Sequence, residues 1–150
     1  MTTVETLLES KGRRIYTVSP NESVFGAVRL MSAHNIGALP VCDGSHVLGI
    51  LSERDCVRRV MQQHRDPEST QVSGVMTGHV ISVQSGDTLE HCMSVMTTRR
   101  VRHLPVIDHG KLVGMISVGD IVKAKLAAQE ATIADLERYI QGAPHALLSA

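Results

Sequence analysis

The chain has very few aromatic side chains: one Phe, two Tyr and no Trp among 150 residues. Hydrophobic residues still make up 43% of the sequence, so the core has to be built from aliphatic side chains and Met. Proteins that bind nucleic acids usually combine an excess of basic residues with aromatic side chains that stack on bases. Here fifteen basic residues are balanced by fifteen acidic ones. The composition therefore predicts no nucleic-acid partner.

The sequence also shows no pattern of disulfide pairing, no signal-peptide pattern and no long apolar run. The three cysteines, Cys42, Cys56 and Cys92, form no C-x-x-C pair and lie in apolar runs, where a free Cys behaves as a small hydrophobe. This favours a reducing compartment. Residues 1–5 do not have the basic-then-apolar layout of a signal peptide, and no apolar run approaches the roughly eighteen residues that span a bilayer. We predict a soluble, cytoplasmic protein with no membrane association.

Signatures of catalysis and of metal binding are missing as well. None of the eight histidines forms an H-x-x-x-H pair or combines with Cys at the spacing of a structural zinc site. There is no Walker-type loop and no pairing of a nucleophile with a base. A (β/α)8 barrel needs about 200 residues or more, which exceeds the chain. We predict no enzymatic activity, no catalytic residue and no metal site.

What the chain does have is an internal repeat. When the sequence is shifted against itself by 65 residues, residues 17–58 align with residues 82–123 without a gap, and ten of the 42 positions are identical. The identical pairs include the Leu-Pro-Val runs that begin at Leu39 and Leu104. Two copies alone predict a pair related by pseudo-two-fold symmetry and not a solenoid.

Each copy has the pattern of a β-α-β-β-α unit. A β-prone run (15–18, 80–83) is followed by a helix with a plausible N-cap, Ser23 or Thr88, and an apolar stripe at 24, 27, 28 and 31 or at 89, 92, 93 and 96. We expect the first of these helices to end near Gly37. Two short strands follow (39–42 with 47–51, and 104–107 with 112–116), and then a second helix that begins at Ser52 or Ser117.

The segments around the repeats also have recognisable patterns. Thr2-x-x-Glu5 resembles a capping box that opens a short helix ending at Gly12. The final helix is predicted from Val118 to about Ile140. We place repeat 1 at 10–62, a polar linker at 63–72, repeat 2 at 73–126, and the C-terminal helix and tail at 127–150. Since a unit of about 60 residues buries its apolar faces poorly alone, the two repeats should pack together in one α+β fold.

Both copies carry the pattern Gly-apolar-apolar-Ser-x-x-Asp after a Leu-Pro-Val strand, at Gly49–Asp55 and at Gly114–Asp120. This pattern resembles the CBS domain, named after cystathionine β-synthase, over roughly residues 10–125. The resemblance implies a Bateman module, in which two repeats pack sheet to sheet and form two clefts that often bind adenine nucleotides. It also implies no catalysis and a disc-shaped homodimer.

The Ser-x-x-Asp corner suits a nucleotide for chemical reasons. The N-terminus of a helix favours an anion, so a phosphate is expected beside the Ser hydroxyl. The carboxylate three residues later would repel phosphate, but it is suited to accept hydrogen bonds from ribose hydroxyls. Adenine is expected between the sheets, against Ile36, Ala38, Val101 and Leu104. The alternative is that Ser and Asp form only a helix capping box, and both roles can coexist.

The two corners are not equivalent in sequence, because Arg54 precedes Asp55 whereas Gly119 precedes Asp120. By resemblance to the family, Arg102 and His103 reach phosphates from the neighbouring repeat, while Gly37 and Ala38 stand at the matching positions of the first copy. A solvated basic face is the alternative for Arg54 and Arg100. The predicted nucleotide-binding residues are Thr17, Ile36, Ala38, Ser52, Arg54, Asp55, Ser82, Val101, Arg102, His103, Leu104, Ser117, Gly119 and Asp120.

We therefore predict a non-catalytic regulatory module that binds an adenine nucleotide in the cleft between the repeats and signals energy or redox state to an unknown regulated protein. The candidate ligands are AMP, ADP, ATP and an NAD-type ligand, with AMP in the first place and NAD as an alternative. A structural dimerisation unit with empty clefts is the competing hypothesis. In both cases the apolar positions 122, 126, 133, 136 and 140 of the final helix outlast the repeat. They predict packing on another molecule, and hence a homodimer.

Overall fold

In the computed structural model, which describes residues 2–142, the two repeats have the same secondary structure in the same order. A first helix, α1, precedes them (Val4–Lys11). The first repeat consists of α2 (Val24–His34), β1 (Ala38–Asp43), β2 (His46–Ser52) and α3 (Glu53–Cys56), which continues as a π-helical stretch (Val57–Met61). A 3-10 turn (Val72–Gly74) leads to the second repeat, with α4 (Leu89–Arg99), β3 (His103–Asp108), β4 (Lys111–Ser117) and α5 (Val118–Gly142).

The helices begin at the N-caps that the sequence predicts. The Ser23 side chain accepts a hydrogen bond from the Gly26 N–H at 3.0 Å, and the Thr88 side chain accepts one from the His91 N–H at 3.1 Å. The predicted end of the first repeat's helix near Gly37 is late, because α2 ends at His34. Asn35 follows in the left-handed conformation with φ 53°, which Asn tolerates better than most residues and which stops the helix.

Each repeat contributes a two-stranded antiparallel sheet, with Leu39 opposite Leu51 in the first and Leu104 opposite Ile116 in the second. The predicted strands 15–18 and 80–83 are reduced to single bridges, in which Val18 pairs with Val41 and Val83 pairs with Val106. The reason lies in the Leu-Pro-Val run, since a Pro has no N–H to extend a ladder. The Val18 N–H donates to the Pro40 carbonyl at 3.1 Å, and the Val18 carbonyl accepts from the Cys42 N–H at 2.9 Å.

Each of the two hydrophobic cores contains residues from outside its own repeat. Val72 and Val75, which follow the polar stretch, pack in the core of the first repeat. In α1, the buried Val4, Leu7 and Leu8 pack in the core of the second repeat, although α1 precedes the first. The segments that precede and follow the first repeat therefore hold the two repeats together.

Helix α1 is fixed to the second repeat by backbone hydrogen bonds as well as by packing. The Val4 N–H donates to the Asp87 carbonyl at 2.8 Å, and the Leu89 N–H donates to the Thr2 carbonyl at 3.1 Å. The predicted capping box of Thr2 and Glu5 is wrong by one residue. Thr3 is the N-cap and its side chain accepts a hydrogen bond from the Thr6 N–H. The predicted end of this helix at Gly12 is confirmed.

The sheets of the two repeats meet through β2 and β4, as expected for a sheet-to-sheet arrangement. The final helix, predicted from Val118 to about Ile140, is confirmed as α5, and its side chains are exposed from Leu126 to Gln141. The end of the predicted C-terminal tail, 143–150, lies outside the described residues. Between residues 2 and 142 no helix is long and apolar enough to cross a membrane.

Candidate functional site

A cleft of about 920 Å³ lies at the Ser52 corner, where residues of both repeats meet. The first repeat supplies the start of β1 (Gly37, Ala38), the end of β2 and the beginning of the following helix. The second repeat supplies Thr77, His79 and Ile81 from its first residues, and residues 99–103, which join α4 to β3. A ligand here would touch both repeats and would therefore sense their relative position.

The Ser52 corner is a complete capping box in this structure. The Ser52 Oγ accepts from the Asp55 N–H at 3.1 Å and donates to Asp55 Oδ2 at 3.0 Å, while the Ser52 N–H donates to the same oxygen at 3.0 Å. The capping interpretation thus holds at this corner, and the proton of the Ser52 hydroxyl is used within the capping box. The other carboxylate oxygen, Asp55 Oδ1, accepts only a long bond of 3.3 Å from the Thr77 hydroxyl and lies 4.0 Å from Arg59 Nε. It keeps free acceptor capacity.

Positive charge dominates the cleft. Two carboxylates line it, those of Glu53 and Asp55, against six guanidinium groups: Arg54, Arg58, Arg59, Arg99, Arg100 and Arg102. Arg59 is committed to the protein, because its Nη1 donates to the carbonyls of Val75 and Met76 at 3.2 and 3.0 Å. Within residues 2–142 the other five form no ion pair. Such a concentration of unneutralised Arg is suited to phosphate groups, which guanidinium binds in a bidentate manner.

His103 lies between the two corners. In the β3–β4 pairing it stands opposite Ser117, and its ring packs so closely on Gly37 that a Cβ there would come within 3.2 Å of its Cε1 atom. Burial lowers the pKa of His103 below its ordinary value. The carboxylates of Glu53 and Asp120 oppose this effect, whereas Lys11 and Arg102 reinforce it. A neutral imidazole offers the cleft a hydrogen-bonding group and not a permanent charge.

The Ser117 corner repeats the capping box but has a different environment. The Asp120 N–H donates to Ser117 Oγ at 3.1 Å, and the Ser117 N–H donates to Asp120 Oδ2 at 2.9 Å. Here, however, the ammonium of Lys11 lies 2.6 Å from Asp120 Oδ2 and also donates to the Met115 carbonyl at 2.6 Å. The carboxylate predicted to accept ribose hydroxyls is therefore already paired with an internal cation at the end of α1.

Half of the predicted nucleotide-binding residues line the Ser52 cleft, and half lie elsewhere. In the cleft are Ala38, Ser52, Arg54, Asp55, Val101, Arg102 and His103; outside it are Thr17, Ile36, Ser82, Leu104, Ser117, Gly119 and Asp120. Leu104 has no exposed surface and belongs to the core of the second repeat. Ile36 packs against the core of the first repeat and borders a separate apolar groove beside α2.

Several residues of the cleft were not predicted from the sequence: Glu53, Arg58, Arg59, Thr77, His79, Ile81 and Arg99. A signal for some of them is present. Arg58 and Arg59 follow Asp55 by about one helical turn, and Arg99 opens the run Arg-Arg-x-Arg that ends at Arg102. Arg100 belongs to the same run and lines the cleft, where the sequence alone left a solvated basic face as the alternative.

The buried cysteines behave as packing residues. All three are free and buried, as expected from their apolar runs. Burial, reinforced by nearby carboxylates, raises the pKa of Cys56 to about 11 and that of Cys92 to about 11. Neither thiol ionises near neutral pH, which disfavours a nucleophilic role. In the described part of the chain no group of three or more His, Cys, Asp or Glu side chains is arranged to hold a metal ion.

Comparison with known proteins gives a consistent result. The profile of the CBS domain matches residues 12–62 and 72–127. Over 150 aligned residues the chain is 34% identical to the mitochondrial CBS domain-containing protein CBSX3 of Arabidopsis thaliana, with 94% of this chain and 73% of that protein covered. Among solved structures, a protein with CBS domains from Burkholderia ambifaria MC40-6 that is assigned to signal transduction is 46% identical, with a TM-score of 0.82 over 85% of this chain and 96% of that one.

A more distant structural relative is an oligomer. The hexameric CBS-CP12 protein from bloom-forming cyanobacteria is 26% identical and has a TM-score of 0.71. The similarity covers 81% of this chain and 70% of that one.

Proposed function

The chain belongs to the CBS-domain family, whose members are generally regulatory, and from this premise we propose that it binds an adenine nucleotide at the Ser52 corner and signals its presence to a regulated protein. The observation that carries the proposal is the set of five arginines without ion pairs around the Ser52–Asp55 corner. AMP is the first candidate ligand and NAD the second. Both have the ribose and phosphate that these groups suit.

Different residues of the cleft bind different parts of the nucleotide, according to their chemistry. Arg54, Arg100 and Arg102 bind the phosphate. The Ser52 hydroxyl does not donate to the phosphate, because its proton is used in the capping box. Asp55 Oδ1 accepts hydrogen bonds from the ribose hydroxyls. The apolar surface of Ala38, Ile50 and Val101 is left for the adenine ring. Because these residues come from both repeats, binding favours one relative position of the repeats over another, which is what a signal requires.

The first test is a series of ligands that differ in phosphate content. We expect adenosine to bind at least about ten-fold more weakly than AMP, since a hydrogen bond to a charged group is worth about 1.5–3 kcal/mol. Affinity for AMP should also fall as salt is added, because the cleft is open to solvent and screened by ions. Titration calorimetry measures both, which matters because the chain has no Trp for fluorescence. Equal affinity for adenosine and AMP would refute the role of the arginines.

The number of sites is a second expected outcome. We predict one nucleotide per chain, because Lys11 occupies the Asp120 carboxylate and the arginines lie on the Ser52 side. Calorimetric stoichiometry against a protein concentration from amino-acid analysis measures this number. Two equivalent binding events per chain would show that Lys11 gives way and that the corners are alike.

The competing function, a structural dimerisation unit, has an observation of its own. Exposed apolar side chains occur at repeat-equivalent positions: Val28, Val57 and Met61 in the first repeat, and Met93, Val122 and Leu126 in the second. A second copy of the chain with the same paired surface is the partner that we propose for this helical face. Self-association is compatible with nucleotide binding. Only protein that pairs yet binds no adenine nucleotide would favour the structural role alone.

A further inference from the structure

The outer part of α5 is a helix without support from its own chain. Every side chain from Leu126 to Gln141 is exposed, whereas the part before it packs against α1, α4 and β4. An isolated helix of this length is only marginally stable in water. The segment thus needs a partner to persist as a helix.

The apolar residues of α5 follow a heptad repeat. The positions Val122, Leu126, Gln129, Ile133, Leu136 and Ile140 are spaced alternately by four and three residues. The five apolar members are 48–57% exposed, which is high for large aliphatic side chains. In heptad notation Leu126, Ile133 and Ile140 occupy a positions, and Val122, Gln129 and Leu136 occupy d positions. A seam with this spacing is the signature of a coiled coil.

We propose that the occupant of this seam is α5 of a second copy, in a parallel, two-stranded coiled coil. In the last part of the seam Ile133 and Ile140 at a positions combine with Leu136 at d, and this combination favours two parallel strands. The single polar seam residue, Gln129, meets Gln129 of the partner subunit only in this orientation and register, where the two amides satisfy each other. The inference rests on the pairing of two copies proposed above and is independent of nucleotide binding.

The charges beside the seam favour the parallel orientation. Lys125 at a g position then faces Glu130 of the partner subunit at the following e position. Within its own chain Lys125 pairs with Glu90 at 2.9 Å, an exposed contact that a second carboxylate can share. The antiparallel register that uses all six seam positions would also form two attractive pairs, of Lys123 with Glu137 of the partner subunit, but it would place Glu130 against Glu130 of the partner subunit. The repulsion between these two like charges disfavours the antiparallel register.

A membrane surface is a poorer match for the same helix. Helices that lie on membranes carry Lys and Arg on their polar face. From Leu126 to Gln141, α5 has three acidic side chains, Glu130, Asp135 and Glu137, and one basic side chain, Arg138. This part of the helix would be repelled by anionic lipid.

Cysteine cross-linking tests orientation and register directly. We expect Gln129→Cys to form a disulfide-linked dimer under mild oxidation, because d positions face each other in a parallel coiled coil. The matched control, Ala131→Cys, places a thiol on the outer face of the same turn and should not cross-link. Background is low because the three native cysteines are buried. If Gln129→Cys links only to Ile133→Cys in a mixture, the helices are antiparallel and the proposal is wrong.

A charge in the seam tests whether α5 contributes to association. Ile133→Asp should weaken self-association by about a hundredfold or more in sedimentation equilibrium, since each dimer loses two buried Ile side chains. Ala134→Asp, which adds the same charge at the neighbouring b position outside the seam, should leave the association constant nearly unchanged.

The outcomes also separate this inference from the function proposed above. Dimeric Ile133→Asp, with no Gln129→Cys cross-link, would overturn the coiled coil and leave pairing through the repeats intact. A monomeric wild-type chain at about tens of micromolar would overturn both. AMP titration of the same samples reports nucleotide binding separately.

Discussion

Replacing Asp55 by Asn is expected to lower the affinity for AMP by about ten-fold or more, because hydrogen bonds to a charged acceptor are worth about 1.5–3 kcal/mol and the amide lacks the charge. The effect falls on the cleft itself, since Asp55 Oδ1 has spare acceptor capacity beside the arginines. Asp120→Asn is expected to change the affinity little. The Asp120 carboxylate lies at the other corner, where it is already paired with the Lys11 ammonium.

The two variants form a matched pair, since both carboxylates belong to the same kind of capping box. Loss of a charge in the first turn of a helix costs only about 0.3–1 kcal/mol, so both variants should fold. Calorimetric titration with AMP, combined with thermal melting of each variant, separates binding from stability. If Asp55→Asn melts lower but binds AMP as well as the wild type, the corner is only a cap. Equal losses of affinity in both variants would instead show that the two corners act alike.

The fold was largely predictable because the internal repeat is recognisable from the sequence alone. A gap-free shift of 65 residues, together with N-caps at Ser23 and Thr88, places both helix-strand-strand units correctly. Whether the first β-prone run of each unit forms a full strand could not be predicted in this way. Residues 15–18 are β-prone, but the number of hydrogen bonds they form depends on the partner strand, and Pro40 removes a donor there.

The candidate site was predictable only where its residues are close in the chain. The Ser-x-x-Asp spacing of Ser52 and Asp55 is local, and the structure shows the expected corner. The pairing of Lys11 with Asp120 joins residues that are 109 positions apart. No local pattern marks Lys11 as different from any other cation at the end of a helix, so the sequence predicts the inequivalence of the two corners from Arg54, Arg102 and His103 and not from Lys11. The position of Lys11 follows from the docking of α1, which is a tertiary feature.

Leu8→Ala should lower the free energy of unfolding by about 2–5 kcal/mol, the usual range for a buried Leu truncated to Ala. Leu8 is 1% exposed, although it precedes the first repeat in sequence. Its partner is Gly114 in β4, where an added Cβ would lie 2.7 Å from the Leu8 Cδ atoms. The absence of a side chain at Gly114 thus makes room for Leu8, and truncation leaves a cavity between α1 and β4.

Urea unfolding followed by circular dichroism measures the loss, with Glu9→Ala as the control because Glu9 is the exposed neighbour of Leu8 on the same helix. The control should change the unfolding free energy by less than about 0.5 kcal/mol. If Leu8→Ala unfolds like Glu9→Ala, α1 is not part of the second core, and the position of Lys11 loses its structural basis. If it unfolds as expected, α1 is an integral part of the second repeat. The Lys11–Asp120 pair is then held by the same packing that stabilises the core, which makes the difference between the two corners a built-in property of the fold.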